Sequence, residues 1–145
     1  GFVIQAVVPG LNRTLRVAVI GQTQRANWRV QDNPLTFGTS VAGGARIDTD
    51  SDPAHRHSGM ALLREFCRSS GINLGGFDIL FEEADRFKRD PRPLMLEVNY
   101  FFGRTGLGGS ARFYELLRAE IDRWLTDLGL TTQAPFTTMA DRETS

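Results

Sequence analysis

The sequence predicts an α+β domain, a largely antiparallel sheet with two main helices. Three observations carry that expectation. Strand-like, β-branched segments come first, two stretches with helical periodicity follow, and a further pair of apolar strand candidates lies between those helices. The 145 residues are 41% hydrophobic and 23% charged, ordinary globular composition with enough apolar mass for one core.

Residues 1–8 are apolar and β-branched and close on Pro9-Gly10. Residues 14–20 resume with Leu15, Val17 and Val19 alternating against Arg16 and Ala18, so the pattern predicts a hairpin between the two segments. A polar turn over 22–25 leads to a third strand over 26–30. Residues 31–44 carry Pro34, Gly38, Gly43 and Gly44 without periodicity and read as a loop long enough to suggest a role.

Asp52-Pro53 starts a helix with a capping residue followed by proline, and Met60, Leu63, Phe66 and Cys67 recur at helical spacing until Gly71. Residues 74–81 and 94–98 are apolar strands on either side of a charged, proline-containing connection, and they are expected to pair as a long-looped hairpin. From Ser110 a second helix keeps Phe113, Leu116, Leu117, Ile121, Trp124, Leu125 and Leu128 on one face and stops at Gly129. Residues 1–129 therefore form the domain, and 130–145 read as a polar tail.

Seventeen Lys and Arg balance seventeen Asp and Glu, so there is no overall positive field to hold a nucleic-acid backbone. The single cysteine, Cys67, has no internal disulfide partner and reads as a small buried hydrophobe. With no leader-like segment or long apolar run, the expected setting is cytoplasmic and away from membranes. Gly1 opens directly on a strand-like run, the pattern of a piece cut from a larger chain whose N-terminal part is missing. His55 and His57, two apart on a helix, face away from one another and read as a solvated first turn rather than a metal pair.

Chemistry concentrates in residues 93–99. Side chains two apart on a strand share a face, so Glu97 and Asn99 point one way and Leu96 and Val98 the other. Asp78 stands alone inside the apolar run of the preceding strand. Paired strands would bring Asp78 opposite Glu97 and Asn99, a set of hard oxygen donors suited to Mg2+. Arg16 and Arg29 lie in strands where both can project from one face, and arginine forks onto phosphate oxygens. Residues 100–110 contain Gly103, Gly106, Gly108 and Gly109 ahead of a helix start, leaving amides that could face an anion.

The order Ile4-Gln5, Leu15-Arg16-Val17, Trp28-Arg29, Gly43-Gly44, Gly76-Phe77-Asp78 and Leu96-Glu97-Val98-Asn99 resembles the C-terminal half of an ATP-grasp domain. It is most similar to ribosomal-protein glutamate ligases and glutathione-synthetase-like carboxylate–amine ligases. The resemblance implies ATP and Mg2+ as cofactors and small-molecule or peptide carboxylates and amines as substrates. It places Gln5, Ala6, Val7 and Val8 against adenine, Arg16, Arg29 and Asn33 toward phosphate and substrate, and Asp78, Glu97 and Asn99 around the metal. The family usually has an acidic residue where Ala6 stands, and two lysines and a glycine-rich loop from the preceding subdomain. Here the one lysine is Lys88, in the polar connection. A fragment holding the metal half of a ligase site, inactive alone, is one expectation; a catalytically silent nucleotide-binding or interaction module is the other.

Overall fold

The computed structural model describes residues 1, 2, 4, 12–82 and 91–130. Five strands form one sheet of order β3-β2-β1-β4-β5, with β1 at Arg13–Ile20, β2 at Thr23–Val30, β3 at Arg46–Asp48, β4 at Leu74–Phe81 and β5 at Pro93–Asn99. Every neighbouring pair is antiparallel. Two helices, α1 at Pro53–Ser70 and α2 at Ser110–Asp127, complete the predicted α+β architecture.

The first hairpin is not the expected one. β1 has β2 on one edge and β4 on the other, so both edges of the strand are taken by partners other than the expected one. Of residues 1–8 only 1, 2 and 4 are described, and Phe2 and Ile4 are exposed. The turn is tighter than predicted, because Ile20 pairs with Thr23 and leaves only Gly21 and Gln22 between the strands. Two-residue connections favour a positive φ at the first position, and Gly21 has φ +57°. The stretch 31–44 holds a 3₁₀ turn at Val41–Gly43, and a short edge strand, β3, follows it. Three residues are too few to show alternation, so sequence pattern missed β3.

Strand alternation splits the residues between the two faces of the sheet. Leu15, Val17, Val19, Trp28, Val30, Phe77 and Ile79 form the main core with Leu63 of α1, and Met60, Phe66 and Cys67 pack against it. α1 begins after a loop organised by Asp48, whose carboxylate accepts hydrogen bonds from the Ser51 N–H and hydroxyl and from the Asp50 N–H. Those bonds, Ser51's first, hold the Asp48 carboxyl well below the usual range. Asp52 adopts φ +47° and pairs with Arg13 instead of capping the helix with its side chain. His55 is not simply solvated: its ring packs edge-on against Phe81 at 4.8 Å and lies 6.4 Å from Trp28.

The opposite face is divided. At one end Ile20 packs on Phe113 and Leu116 of α2, with Phe102, Leu107 and Leu117 around them. Glu120 fastens this contact: its carboxylate, buried, accepts from the Gln22 N–H at 2.9 Å and the Thr23 hydroxyl at 2.5 Å and pairs with Arg123 at 2.7 Å. Burial of α2 stops there. Ile121, Trp124 and Leu128, expected on the core face, are exposed. Among the described residues no helix covers the other end of this face, and the polar residues gather there.

Candidate functional site

Thr14, Arg16, Asn27, Arg29, Asp78 and Glu97 stand in register across β2, β1, β4 and β5. Arg16 is opposite both Asn27 and Asp78, Thr14 is opposite Arg29, and Asp78 is opposite Glu97. Asn99 is opposite Gly76, two residues from Asp78. Because facing residues in a ladder share a side, these groups converge on the face α1 does not cover. Thr14, Arg16, Arg29, Asp78, Glu97 and Asn99 floor a groove of about 920 Å³. One wall is the loop around Phe37, Thr39 and Val41, and the other is Leu94, Leu96 and Phe101.

A β-bulge between Asp78 and Ile79 shapes the second wall. Asp78 pairs with Glu97 but Ile79 pairs with Met95, so Leu96 is the extra residue. Leu96 consequently lines the groove beside Glu97 instead of following Val98 into the core, contrary to strict alternation. The loop wall is tied down by Gln31, which donates to the Gly43 carbonyl at 3.2 Å, and by a hydroxyl–hydroxyl bond between Thr14 and Thr39.

At the centre lies a buried ion pair. Arg16 Nε donates to Asp78 Oδ1 at 2.6 Å and Nη2 to Oδ2 at 2.7 Å, a bidentate fork with each residue only 6% exposed. Arg29 Nη1 lies 3.8 Å from the same Oδ1. Two guanidinium groups thus share one buried carboxylate. Burial, and then the positive charge of Arg16, push the Arg29 pKa below its ordinary value, against the pull of Asp78 and Glu97. Arg16 Nη1 is buried and has no hydrogen-bond partner among the described residues. It fits because position 76 is glycine: a β-carbon there would stand 2.5 Å from Nη1 and 2.6 Å from Phe102 Cβ.

Glu97 is exposed on the groove, and Asn99 Nδ2 donates to its Oε1 at 2.8 Å. Among the described residues no cluster of three or more His, Cys, Asp or Glu side chains could hold a metal. A cation here would draw on two carboxylates, the Asn99 amide and non-protein oxygens. That incomplete, all-oxygen set is the kind Mg2+ takes when it bridges to substrate phosphates. The orphaned Arg16 Nη1 suits the anion that would accompany it.

Arg16, Arg29, Asp78, Glu97 and Asn99 therefore meet in one groove. Asn33 does not: it is exposed in the loop, where its Oδ1 accepts from the Leu35 N–H at 3.0 Å and its own N–H donates to Gln31. That is an Asx turn ahead of Pro34. Gln5, Ala6, Val7 and Val8 lie outside the described residues. The amides of Leu107, Gly108 and Gly109 are not open to an anion, since they donate to the carbonyls of Arg104 and Thr105. Thr14 and Asn27 went unremarked in the sequence, although each is two residues from a site arginine on the same strand face.

A second cavity of about 730 Å³ opens near the start of α2, between Leu74, Phe102 and Arg104, and no carboxylate among the described residues lines it. No protein-family model matches the chain, and no curated protein matches it in sequence. Among the described residues no helix is long and apolar enough to cross a membrane.

Proposed function

We propose that the groove binds ATP phosphates together with Mg2+ and serves an ATP-grasp-type ligase, which activates a carboxylate as an acyl phosphate for attack by an amine. The observation that carries this reading is the meeting of two arginines, two carboxylates and an asparagine from four neighbouring strands in one groove. Bound there, Mg2+ and ATP supply the phosphoryl group and much of the charge neutralisation. Asp78, Glu97 and Asn99 hold the cation. Arg16 and Arg29 orient phosphoryl oxygens and offset their charge, so rate comes from positioning and electrostatics without a protein nucleophile.

Titration calorimetry with MgATP tests this. Saturable binding is expected, weakened about tenfold or more in Glu97→Gln with unchanged circular dichroism; absence of binding to the unaltered chain refutes the reading. In the full-length protein, coupled detection of ADP with panels of carboxylates and amines then separates a ligase from a module that holds nucleotide without turnover. That second reading is favoured by one observation: both oxygens of Asp78 are already taken by Arg16.

A further inference from the structure

If the groove takes phosphate and Mg2+ as proposed above, an entering cation must compete with Arg16 for Asp78. Both of its oxygens accept from one guanidinium at 2.6 and 2.7 Å, in a buried position that water does not loosen. Three features make this pair exchangeable. Arg16 Nη1 is already orphaned, so the guanidinium is one hydrogen bond short where it sits. Arg29, 3.8 Å from Asp78 Oδ1, adds a second cation beside a single buried carboxylate, with the exposed Glu97 as the other counter-charge. Glu97 is opposite Asp78 in the ladder and exposed, so an entering cation would meet it first.

We infer that Arg16 is a partner-exchange latch. A phosphoryl oxyanion entering between Arg16 and Arg29 draws the Arg16 guanidinium onto itself and releases Asp78 to a divalent cation. Each ligand thereby raises the other's affinity, and the anion is the one that enters first. Without an anion, a cation meets only Glu97 and Asn99. With the anion bound, the released Asp78 completes the set, and two buried charges exchange partners without either being left alone. Reciprocity is required: the factor by which phosphate strengthens cation binding equals the factor by which the cation strengthens phosphate binding.

The test uses Mn2+ as the cation, followed by electron paramagnetic resonance, and inorganic phosphate as the anion, because phosphate chelates Mn2+ only weakly in solution. In the unaltered chain, saturating phosphate should tighten Mn2+ binding by about tenfold, within the usual range of coupling between sites. In Arg16→Gln, Mn2+ alone should bind more tightly than it does to the unaltered chain, and phosphate should add little. A gain of cation affinity on removing a cationic side chain next to Asp78 is also expected from simple charge, so the loss of the phosphate dependence is the decisive part. Should Arg16→Gln fail to fold, the Arg16 Nε–Hε resonance of the unaltered chain gives the same answer: phosphate should shift it and Mg2+ alone should leave it in place. Mn2+ binding that is indifferent to phosphate, or an Arg16 resonance that phosphate does not move, overturns the latch while MgATP binding leaves the proposed function standing. If neither Mn2+ nor MgATP binds, both fall.

Discussion

The carboxylate of Glu120 occupies the space that a β-carbon on Gly21 would need: Oε2 would be 2.5 Å from it. The tip of the β1–β2 hairpin and the middle of α2 are thereby locked together, since the same carboxylate accepts the Gln22 N–H and the Thr23 hydroxyl. This contact sets where α2 lies on the sheet, and so which part of that face remains open as a groove.

Gly21→Ala should therefore be costly for two reasons. The residue has φ +57°, and its new methyl group would displace Glu120. The expected loss is about 2 kcal/mol or more, read from the urea midpoint, and an unchanged midpoint contradicts the packing described.

Acid should loosen the same contact. Burial favours the neutral form of Glu120, but hydrogen bonds from Thr23 and Gln22 and the charge of Arg123 outweigh it and hold its pKa below the ordinary glutamate value. A carboxylate whose pKa is lowered on folding adds stability that is fully present above its unfolded pKa and is lost as pH falls through the folded one. The stability gap between the unaltered chain and Glu120→Gln should therefore be largest near neutrality and shrink on acidification into the carboxylate range. A gap that stays constant down to pH 3 would mean the carboxylate is not stabilised in the fold.

Gly76→Ala tests the centre of the groove. The added methyl group must push aside either Arg16 Nη1 or Phe102. A cost of about 2 kcal/mol is expected, together with weaker phosphate binding than in the unaltered chain, whereas Gly103→Ala, with nothing within 4 Å of the added carbon, should leave stability nearly as it was.

The two tryptophans differ sharply, Trp28 being 2% exposed and Trp124 61%. Acrylamide should quench one component of the emission readily, and Trp124→Phe should remove that component. Trp28→Phe should instead destabilise the fold, by about 2 kcal/mol, because it removes buried ring area and the hydrogen bond from Nε1 to the Ser51 carbonyl. If both tryptophans prove equally shielded, the exposed face of α2 is covered in solution.

Much of this was legible because strands alternate and helices repeat. The pairing of β4 with β5 followed from two apolar runs around a charged connection, and from it the approach of Asp78 to Glu97. The positions of Arg16 and Arg29 in adjacent strands placed them on one face. What escaped the sequence were features set by tertiary context. Leu96 departs from alternation because a bulge inserts it. Trp124 keeps core spacing, yet the buried part of α2 ends at Glu120. Asn33 is polar and well placed in sequence, but its side chain is used locally to turn the chain at Pro34. The fork of Arg16 onto Asp78 could not be read from spacing, since a strand arginine is equally suited to solvent.

Asp78, Glu97 and Asn99 are proposed to surround a divalent cation bound together with ATP. Adding substoichiometric Mn2+ with ATP to the isotope-labelled chain, and recording amide spectra, tests this most directly because paramagnetic broadening falls off steeply with distance. The amides of Asp78, Glu97, Asn99 and Arg16 should broaden first, while those of Leu63 on α1 and Arg123 on α2 stay sharp. Broadening centred elsewhere, or none at all, would mean that these three residues do not hold the cation.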